Sequence, residues 1–135
     1  MALSARYLAD KSALARFGVA ARLRPLIEEG LIATCAIVDL EVLYSARGLD
    51  DYEAVLEERR SFDSAPITPE VMATAVELQH ALAQRGQHRV PIPDLIISAA
   101  AQHAGLVVIH YDADFERIAE IGGPDHEWVV SRGSI

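Results

Sequence analysis

Several acidic residues of this sequence lie directly after apolar segments or at their start. Asp10 follows ARYLA, Asp112 comes one residue after LVVIH, and Asp114 follows two residues later. Glu41 lies in the apolar turn LEVL, and Asp94 begins the otherwise apolar segment DLIISAAA. Carboxylates that share one site repel each other and need a cation to compensate them. Oxygen ligands of this kind suit Mg²⁺ or Mn²⁺, and an ion held in this way can activate water to hydrolyse a phosphodiester bond.

Each acid also has a purely structural interpretation. Asp10, Asp39, Asp94 and Asp112 could each cap a helix, and one such cap is worth ~1 kcal/mol. For any one of them alone, the cap is the better interpretation. Asp39 and Glu41 are two residues apart on a helix and point in different directions, so we assign Asp39 as a cap and Glu41 to the cluster. Caps alone do not explain why so many acids fall at equivalent points of the chain.

The elements that must position these acids alternate along the chain. Helical segments with apolar residues three or four positions apart separate five short apolar segments, which we predict as strands: ARYLA, LIATCAI, SAPI, LVVIH and HEWVV. Strands that are separated by helices form a parallel sheet, because parallel strands need crossover connections. We therefore predict an α/β fold in three layers, with a central, mostly parallel sheet of about five strands and helices on both faces. In such sheets, ligands bind beyond the carboxyl ends of the strands, where these acids fall.

One helix is predicted more clearly than the others. Thr68, Pro69 and Glu70 supply its cap, its first-turn proline and its first-turn acid, and Gly86 follows its end. Its core-facing residues recur at helical spacing: Val71, Ala75, Leu78 and Leu82. In the segment DADFERIAEIGG, a later helix is expected to turn Phe115, Ile118 and Ala119 inward.

Length and composition restrict the class of protein. The 135 residues are predicted to form a single domain, 1–135. No apolar run approaches the ~20 residues that span a bilayer, and the single cysteine, Cys35, is expected to be buried and inert. We therefore expect a cytoplasmic protein. The histidines have no zinc-site spacing, and His103 and His110 are expected to be structural.

Four motifs of this sequence resemble one known family. In chain order they are YLADKS, DLEVLYSA, IPDLIISAAA and VIHYDADFERI, and together they are similar to the PIN-domain ribonucleases. More closely, they resemble the VapC-type toxin subunit of bacterial VapBC toxin–antitoxin pairs, over nearly the whole chain. The resemblance implies a single PIN-like domain.

The resemblance also implies roles for individual residues. Asp10, Glu41, Asp94 and Asp112 match the four acids that surround the metal ion and carry catalysis in the family. Ser12 matches a small hydroxyl residue that hydrogen-bonds within the site, and Asp114 matches a further acid that precedes the phenylalanine. The chain departs from the family at His110, where Thr or Ser is common.

The activity that the resemblance implies is that of an endoribonuclease dependent on Mg²⁺ or Mn²⁺. It would cut structured RNA, such as transfer or ribosomal RNA, and a cognate VapB-type antitoxin would neutralise it. A homodimer is also implied. In the expected mechanism Asp10 and Asp94 anchor the ion, Glu41 and Asp112 complete its surroundings, and activated water leaves 5′-phosphate and 3′-hydroxyl ends.

The net charge of −8 argues at first against binding to nucleic acid, but the distribution of charge matters more than the total. Two stretches without acids lie beside Asp10 and Asp94. We expect their cations to include RNA-positioning residues, although they could equally receive an antitoxin tail. These cations are Lys11, Arg16, Arg22, Arg24, Arg85 and Arg89.

Two alternatives to the nuclease remain open at this stage. The first is a catalytically weak or inactive PIN-type module that binds RNA or a partner without cutting. The second is a phosphotransfer or hydrolase domain with Asp10 as its nucleophile. The sequence LADKS lacks the DxD pattern expected of that chemistry, and no glycine-rich phosphate loop is present, so the second alternative ranks lower.

Overall fold

The strands form one parallel sheet, as the alternating pattern predicts. The computed structural model describes residues 4–14 and 18–135. Within that part, five strands lie in the order β3-β2-β1-β4-β5, and every neighbouring pair is parallel. The strands are β1 Tyr7–Ala9, β2 Ile32–Thr34, β3 Asp63–Ser64, β4 Val107–His110 and β5 His126–Trp128.

Helices cover both faces of this sheet, which gives the three predicted layers. They are α1 Lys11–Leu14, α2 Ala20–Glu28, α3 Ala36–Tyr44, α4 Leu49–Arg60, α5 Pro69–Ala83, α6 Ile92–Ala104 and α7 Asp114–Glu120. Alternate residues of a strand point to opposite faces. Leu8 and Val108 therefore join the core formed with α3, α5, α6 and α7, whereas Ile109 joins the core formed with α1 and α2. No helix in the described ranges is long and apolar enough to cross a bilayer.

Helix α5 begins and packs as predicted. The N–H of Val71 donates to the side-chain oxygen of Thr68 at 3.1 Å, so Thr68 is the cap, and Pro69 occupies the first turn. The predicted core face is confirmed, because Val71, Ala75, Leu78 and Leu82 are the buried residues of the helix. The inward face of α7 is confirmed for Phe115 and Ile118, while Ala119 is only half-buried.

Helix α6 is the central helix of the fold and carries one of the candidate acids. Eight consecutive residues, 94–101, are buried. Small side chains at Ser98 and at positions 99–101 allow this helix to be enclosed on all sides. Gly105 ends it in the left-handed conformation, with φ of 69°, which glycine adopts without steric penalty. Asp94 is therefore held on a rigid, deeply packed element.

Asp39 does not cap a helix, contrary to our prediction. Helix α3 begins at Ala36, after the buried Cys35, so Asp39 lies inside its first turn. The Asp39 carboxylate accepts hydrogen bonds from Thr34 Oγ1 at 2.8 Å and from Arg59 Nε at 2.9 Å. Arg59 is only 6% exposed. The acid therefore forms an ion pair between α3 and the buried end of α4.

Candidate metal centre

The candidate acids lie where the direction of the chain through the sheet reverses. β1 and β4 are neighbours, and the N–H of Asp10 extends their pairing by donating to Ile109 O at 3.0 Å. From β1 the chain continues to β2 on one side, whereas β4 leads to β5 on the other side. Such a switch point leaves a crevice at the carboxyl ends of the strands. Asp10 and Asp112 follow those ends directly.

Three of the acids form a tight group. One side-chain oxygen from each of Asp94, Asp112 and Asp114 lies within 4.8 Å of the other two. Asp10 and Glu41 lie near enough that their charges act on Asp94 as well. The five acids that the sequence singled out therefore come together, although up to 104 positions separate them along the chain.

The electrostatic consequence is largest at Asp94. The pKa of its carboxyl is raised from 3.8 to about 8, mainly by burial and then by the charges of Asp10, Asp112, Asp114 and Glu41, in that order. The side chain is therefore mostly protonated at neutral pH when no cation is present. A strongly raised pKa that arises from burial and like charges is typical of a functional site.

Three other acids have raised pKa values for similar reasons. Burial is the main cause for Asp10, Glu41 and Asp114. The charge of Asp112 also raises the pKa of Asp10, whereas hydrogen bonds from Ser12 lower it. The charge of Asp10 raises the pKa of Glu41. The cluster therefore holds more negative charge than its surroundings compensate.

Two oxygen atoms of the cluster are buried without a hydrogen-bond partner among the described residues. They are Asp94 Oδ2 and Glu41 Oε1, and the side-chain oxygen of Ser98 shares this property. Helix α6 begins at Ile92 without a side-chain cap, so the cap interpretation fails for Asp94. A buried polar atom without a partner destabilises the fold by about 1–3 kcal/mol. A hard divalent cation would satisfy these oxygens, and the donor set, which consists only of oxygens, fits Mg²⁺ or Mn²⁺.

Asp10 and Asp112 stabilise their own turns and also face the cluster. Ser12 N–H donates to Asp10 Oδ2 at 3.0 Å, and Asp114 N–H donates to Asp112 Oδ1 at 2.9 Å. The hydroxyl oxygen of Ser12 accepts the N–H of Tyr111 at 2.8 Å. Ser12 therefore ties the turn after β1 to the turn after β4. For Asp10 and Asp112, the structural and functional interpretations are compatible.

His110 lies behind the Asp112 turn and is fully buried. Its Nδ1 accepts the N–H of Asp112 at 3.1 Å, and its Nε2 lies 2.8 Å from Nδ1 of His126. Burial, followed by the charge of His126, lowers the pKa of His110 to about 3, so the ring is neutral. The other histidine near the predicted rim, His103, lies at the opposite end of α6 from Asp94, 2.8 Å from Thr74 Oγ1.

Two of the predicted RNA-positioning cations lie beside the acids. Lys11 borders a small recess with Glu41, and its charge partly offsets the rise in the pKa of that acid that burial and Asp10 cause. Arg89 borders a recess of about 190 Å³ with Asp114 and Arg117. Arg117 also forms an ion pair with Asp114. Both recesses therefore combine a cation with an acid of the cluster.

The remaining cations have other surroundings. Arg22 forms an ion pair with Glu127 of β5 at 2.7 Å, and Arg85 lies 3.8 Å from Glu120. Arg24 borders an open, mainly apolar recess along α2. Arg16 lies outside the described residues. The contribution of these four residues to RNA binding stays a prediction.

Sequence reasoning missed two residues of the site. Arg117 could have been found, because Asp114 and Arg117 are three positions apart on a helix and such residues are neighbours on its surface. His126 gave no comparable signal. Its contact with His110 depends on the register of β4 and β5, in which Val108 pairs with His126 and His110 pairs with Trp128.

Comparison with known proteins agrees with this architecture. A sequence profile of the PIN domain matches residues 10–121. Ribonuclease VapC21 of Mycobacterium tuberculosis is 48% identical to this chain, covering 98% of it and 99% of the relative. Ribonuclease VapC51 of the same species is 39% identical, with 98% and 99% covered.

Solved structures show the same fold. The crystal structure of VapBC-5 from Mycobacterium tuberculosis contains a chain that matches with a TM-score of 0.65 at 25% identity, covering 94% of this chain and 99% of that one. DNA-bound VapBC from Salmonella typhimurium matches with a TM-score of 0.71 at 19% identity, covering 93% and 99%; this second likeness concerns the fold alone. The chain belongs to the PIN-domain family, and within it to the VapC ribonucleases.

Proposed function

We propose that this protein is an endoribonuclease that depends on Mg²⁺ or Mn²⁺ and serves as the toxin of a toxin–antitoxin pair. The observation that carries the proposal is the convergence of five acids on a switch point of the sheet, where buried oxygens of Asp94 and Glu41 have no hydrogen-bond partner within residues 4–14 and 18–135. A folded protein gains nothing from gathering these charges unless a cation binds them.

The residues present define which side chains would hold the ion. Asp10, Asp94, Asp112 and Glu41 would bind it directly or through water, and Asp114 would assist from the first turn of α7. When bound, a divalent ion supplies positive charge to the reacting phosphate and lowers the pKa of a water molecule.

The chain's own groups prepare this site. Ser12 and the backbone hold the Asp10 turn against the Asp112 turn. The packing of α6 keeps water away from the back of Asp94, which is 6% exposed. Asp94 would have to release its proton to hold a cation, because proton and cation compensate the same negative charge. The affinity for metal should therefore rise with pH up to about the pKa of Asp94, near 8.

Cations at the rim would bind the RNA backbone. Lys11 lies beside Glu41, while Arg89 and Arg117 lie beside Asp114, so phosphates on either side of the reacting bond could be held. Phosphate contacts position a nucleic acid without reading its sequence. The more distant candidates would extend this path: Arg16, Arg22, Arg24 and Arg85.

The relatives support the proposed substrate class and partner. The curated relatives are named ribonucleases, and several structural neighbours come from VapBC complexes. For this chain we propose structured cellular RNA, such as transfer or ribosomal RNA, as the substrate. We propose a cognate VapB-type antitoxin as the inhibitor, a homodimer as the assembly, and the cytoplasm as the place of action.

The chemistry can be tested by cleavage of total cellular RNA. The purified protein is incubated with RNA in EDTA, Mg²⁺ or Mn²⁺, and the new ends are sequenced. We expect cleavage only with metal, leaving 5′-phosphate and 3′-hydroxyl ends, because attack by water does not involve the ribose 2′-oxygen. Ends with a 2′,3′-cyclic phosphate would contradict the proposal.

Variants at two aspartates connect the reaction to the cluster. Asp94→Asn should abolish cleavage while the protein stays folded, whereas Asp63→Asn, at an exposed position of β3, should cleave like the parent protein. If neither the parent nor any variant cleaves RNA but the parent still binds it without metal, the protein is a binding module of the PIN type.

A further inference from the structure

The imidazole of His110 is hydrogen-bonded on both nitrogens, and the backbone fixes the direction of these bonds. Because the N–H of Asp112 can only donate, Nδ1 of His110 must accept and carries no proton. The proton of the neutral ring therefore lies on Nε2. This group donates to Nδ1 of His126, which must in turn be unprotonated.

This chain of hydrogen bonds ends at a residue of the acid cluster. Asp112 receives support on two sides of its turn, since its N–H binds His110 and its carboxylate accepts the N–H of Asp114. With the other tautomer of His110, Nδ1–H would face the N–H of Asp112, so two donors would oppose each other. An acceptor at Nδ1 of His126 reinforces the arrangement that the Asp112 N–H requires, because it binds the proton on Nε2.

We propose that His110 and His126 act as positioning residues for Asp112. His126 accepts the Nε2 proton of His110 and so stabilises that tautomer, and His110 holds the Asp112 turn so that its carboxylate faces Asp94 and Asp114. This inference rests on the proposed function, because it assigns the two rings a purpose at the metal centre. Groups that orient a metal ligand typically change metal affinity 10- to 100-fold when they are removed.

The competing explanation is packing alone. The His110 ring lies 5.0 Å from Phe115 and 4.9 Å from Trp128, measured between ring centroids. A ring that merely fills this space could be replaced by any apolar group of similar size. A test must therefore separate the hydrogen-bond acceptor from the volume of the side chain.

Two substitutions at His110 make this separation. His110→Asn keeps an acceptor, because Asn Oδ1 is attached at the same position as Nδ1, but it loses most of the ring. His110→Leu keeps apolar volume and loses the acceptor. We expect the affinity for Mn²⁺, measured by calorimetry on metal-free protein, to fall 10- to 100-fold in the leucine variant and less than about 5-fold in the asparagine variant. Equal losses, or the opposite order, would overturn the inference.

A second pair of variants tests the partly exposed ring of His126, where the risk of misfolding is smaller. His126→Asn keeps the acceptor, whereas His126→Ala removes it. The alanine variant should bind Mn²⁺ several-fold more weakly, and the asparagine variant should bind like the parent protein. Equal affinity in both variants would overturn the role of His126.

Nuclear magnetic resonance separates this inference from the proposed function. In the metal-free parent protein, long-range proton–nitrogen spectra should show His110 protonated on Nε2 and unprotonated on Nδ1. The opposite tautomer would overturn the inference even if Mn²⁺ binds. A parent protein that shows the expected tautomer but binds no Mn²⁺ would instead contradict the proposed function.

Discussion

Replacing Asp94 with asparagine should stabilise the metal-free protein while removing its activity. Asp94 is 6% exposed, and burial together with the charges of the surrounding acids raises the pKa of its carboxyl to about 8. In the unfolded chain the same group has a pKa near 3.8. At neutral pH the Asp94 carboxyl is therefore ionised in the unfolded chain and mostly protonated in the folded protein. Folding must take up this proton, which lowers the free energy of unfolding. Asparagine has a similar shape and carries no charge, so the folding of the variant does not require this protonation.

The sign and the pH range follow from linkage. The folded state binds the Asp94 proton more tightly than the unfolded state, so the contribution of Asp94 to stability is complete below pH 3.8 and is lost as the pH rises toward about 8. Each pH unit in this range corresponds to ~1.4 kcal/mol, which sets an upper bound of about 4 kcal/mol at pH 7. Relaxation of the cluster reduces this value, and we expect a stabilisation of roughly 1–3 kcal/mol.

The measurement is thermal unfolding in EDTA between pH 5 and pH 8. For a domain of this size, about 1 kcal/mol corresponds to roughly 3 °C, so Asp94→Asn should raise Tm by roughly 3–9 °C at pH 7 and by less at pH 5. Asp63→Asn is the matched control, because the same substitution at an exposed site should leave Tm nearly unchanged. If Asp94→Asn unfolds like the parent protein throughout this range, the reasoning about charge crowding is wrong.

Three further predictions test other parts of the structure. Saturating Mn²⁺, at about 100 times Kd, should stabilise the parent protein by about 2.7 kcal/mol and leave Asp94→Asn nearly unaffected, as thermal shifts would show. Arg59→Leu should lower the free energy of unfolding by ~3 kcal/mol because it removes the cation that pairs with the partly buried Asp39; in chemical denaturation, adding Asp39→Asn should recover part of this loss. Replacing Lys11 and Arg89 by glutamine should flatten the salt dependence of RNA binding by about 0.7 per lost contact in a log–log plot, and an unchanged slope would exclude them from the RNA path.

The sequence was sufficient to predict the sheet and the position of the acids on it. Parallel strands bring their carboxyl ends to the same edge, so residues that follow β1 and β4 were expected at one edge of the sheet, and they lie close together because these two strands are neighbours. Asp10 and Asp112 were therefore predictable from their place in the chain. Predicting the positions of Asp94 and Glu41 required in addition that α6 and α3 begin at that same edge.

Features that depend on a distant partner were not predictable in this way. The segment LIATCAI was assigned entirely to a strand, but α3 already begins at Ala36, so Asp39 moves from the cap position into the helix. Its partner Arg59 is 20 residues away in the chain, and no local pattern connects the two. The contact between His110 and His126 depends on the register of β5, which a three-residue strand does not reveal.

The net charge of −8 is misleading about function because much of it reflects one site. Five acids converge there, and the pKa of Asp94 implies that this carboxyl is mostly protonated until a cation binds. A bound dication would compensate part of the remaining charge and change the local potential that an approaching phosphate experiences. Lys11, Arg89 and Arg117 lie beside these acids, so the rim would then attract RNA.

Metal binding should therefore strengthen RNA binding. The RNA affinity measured with Mn²⁺ should exceed the affinity measured in EDTA, and Asp94→Asn should reduce this difference.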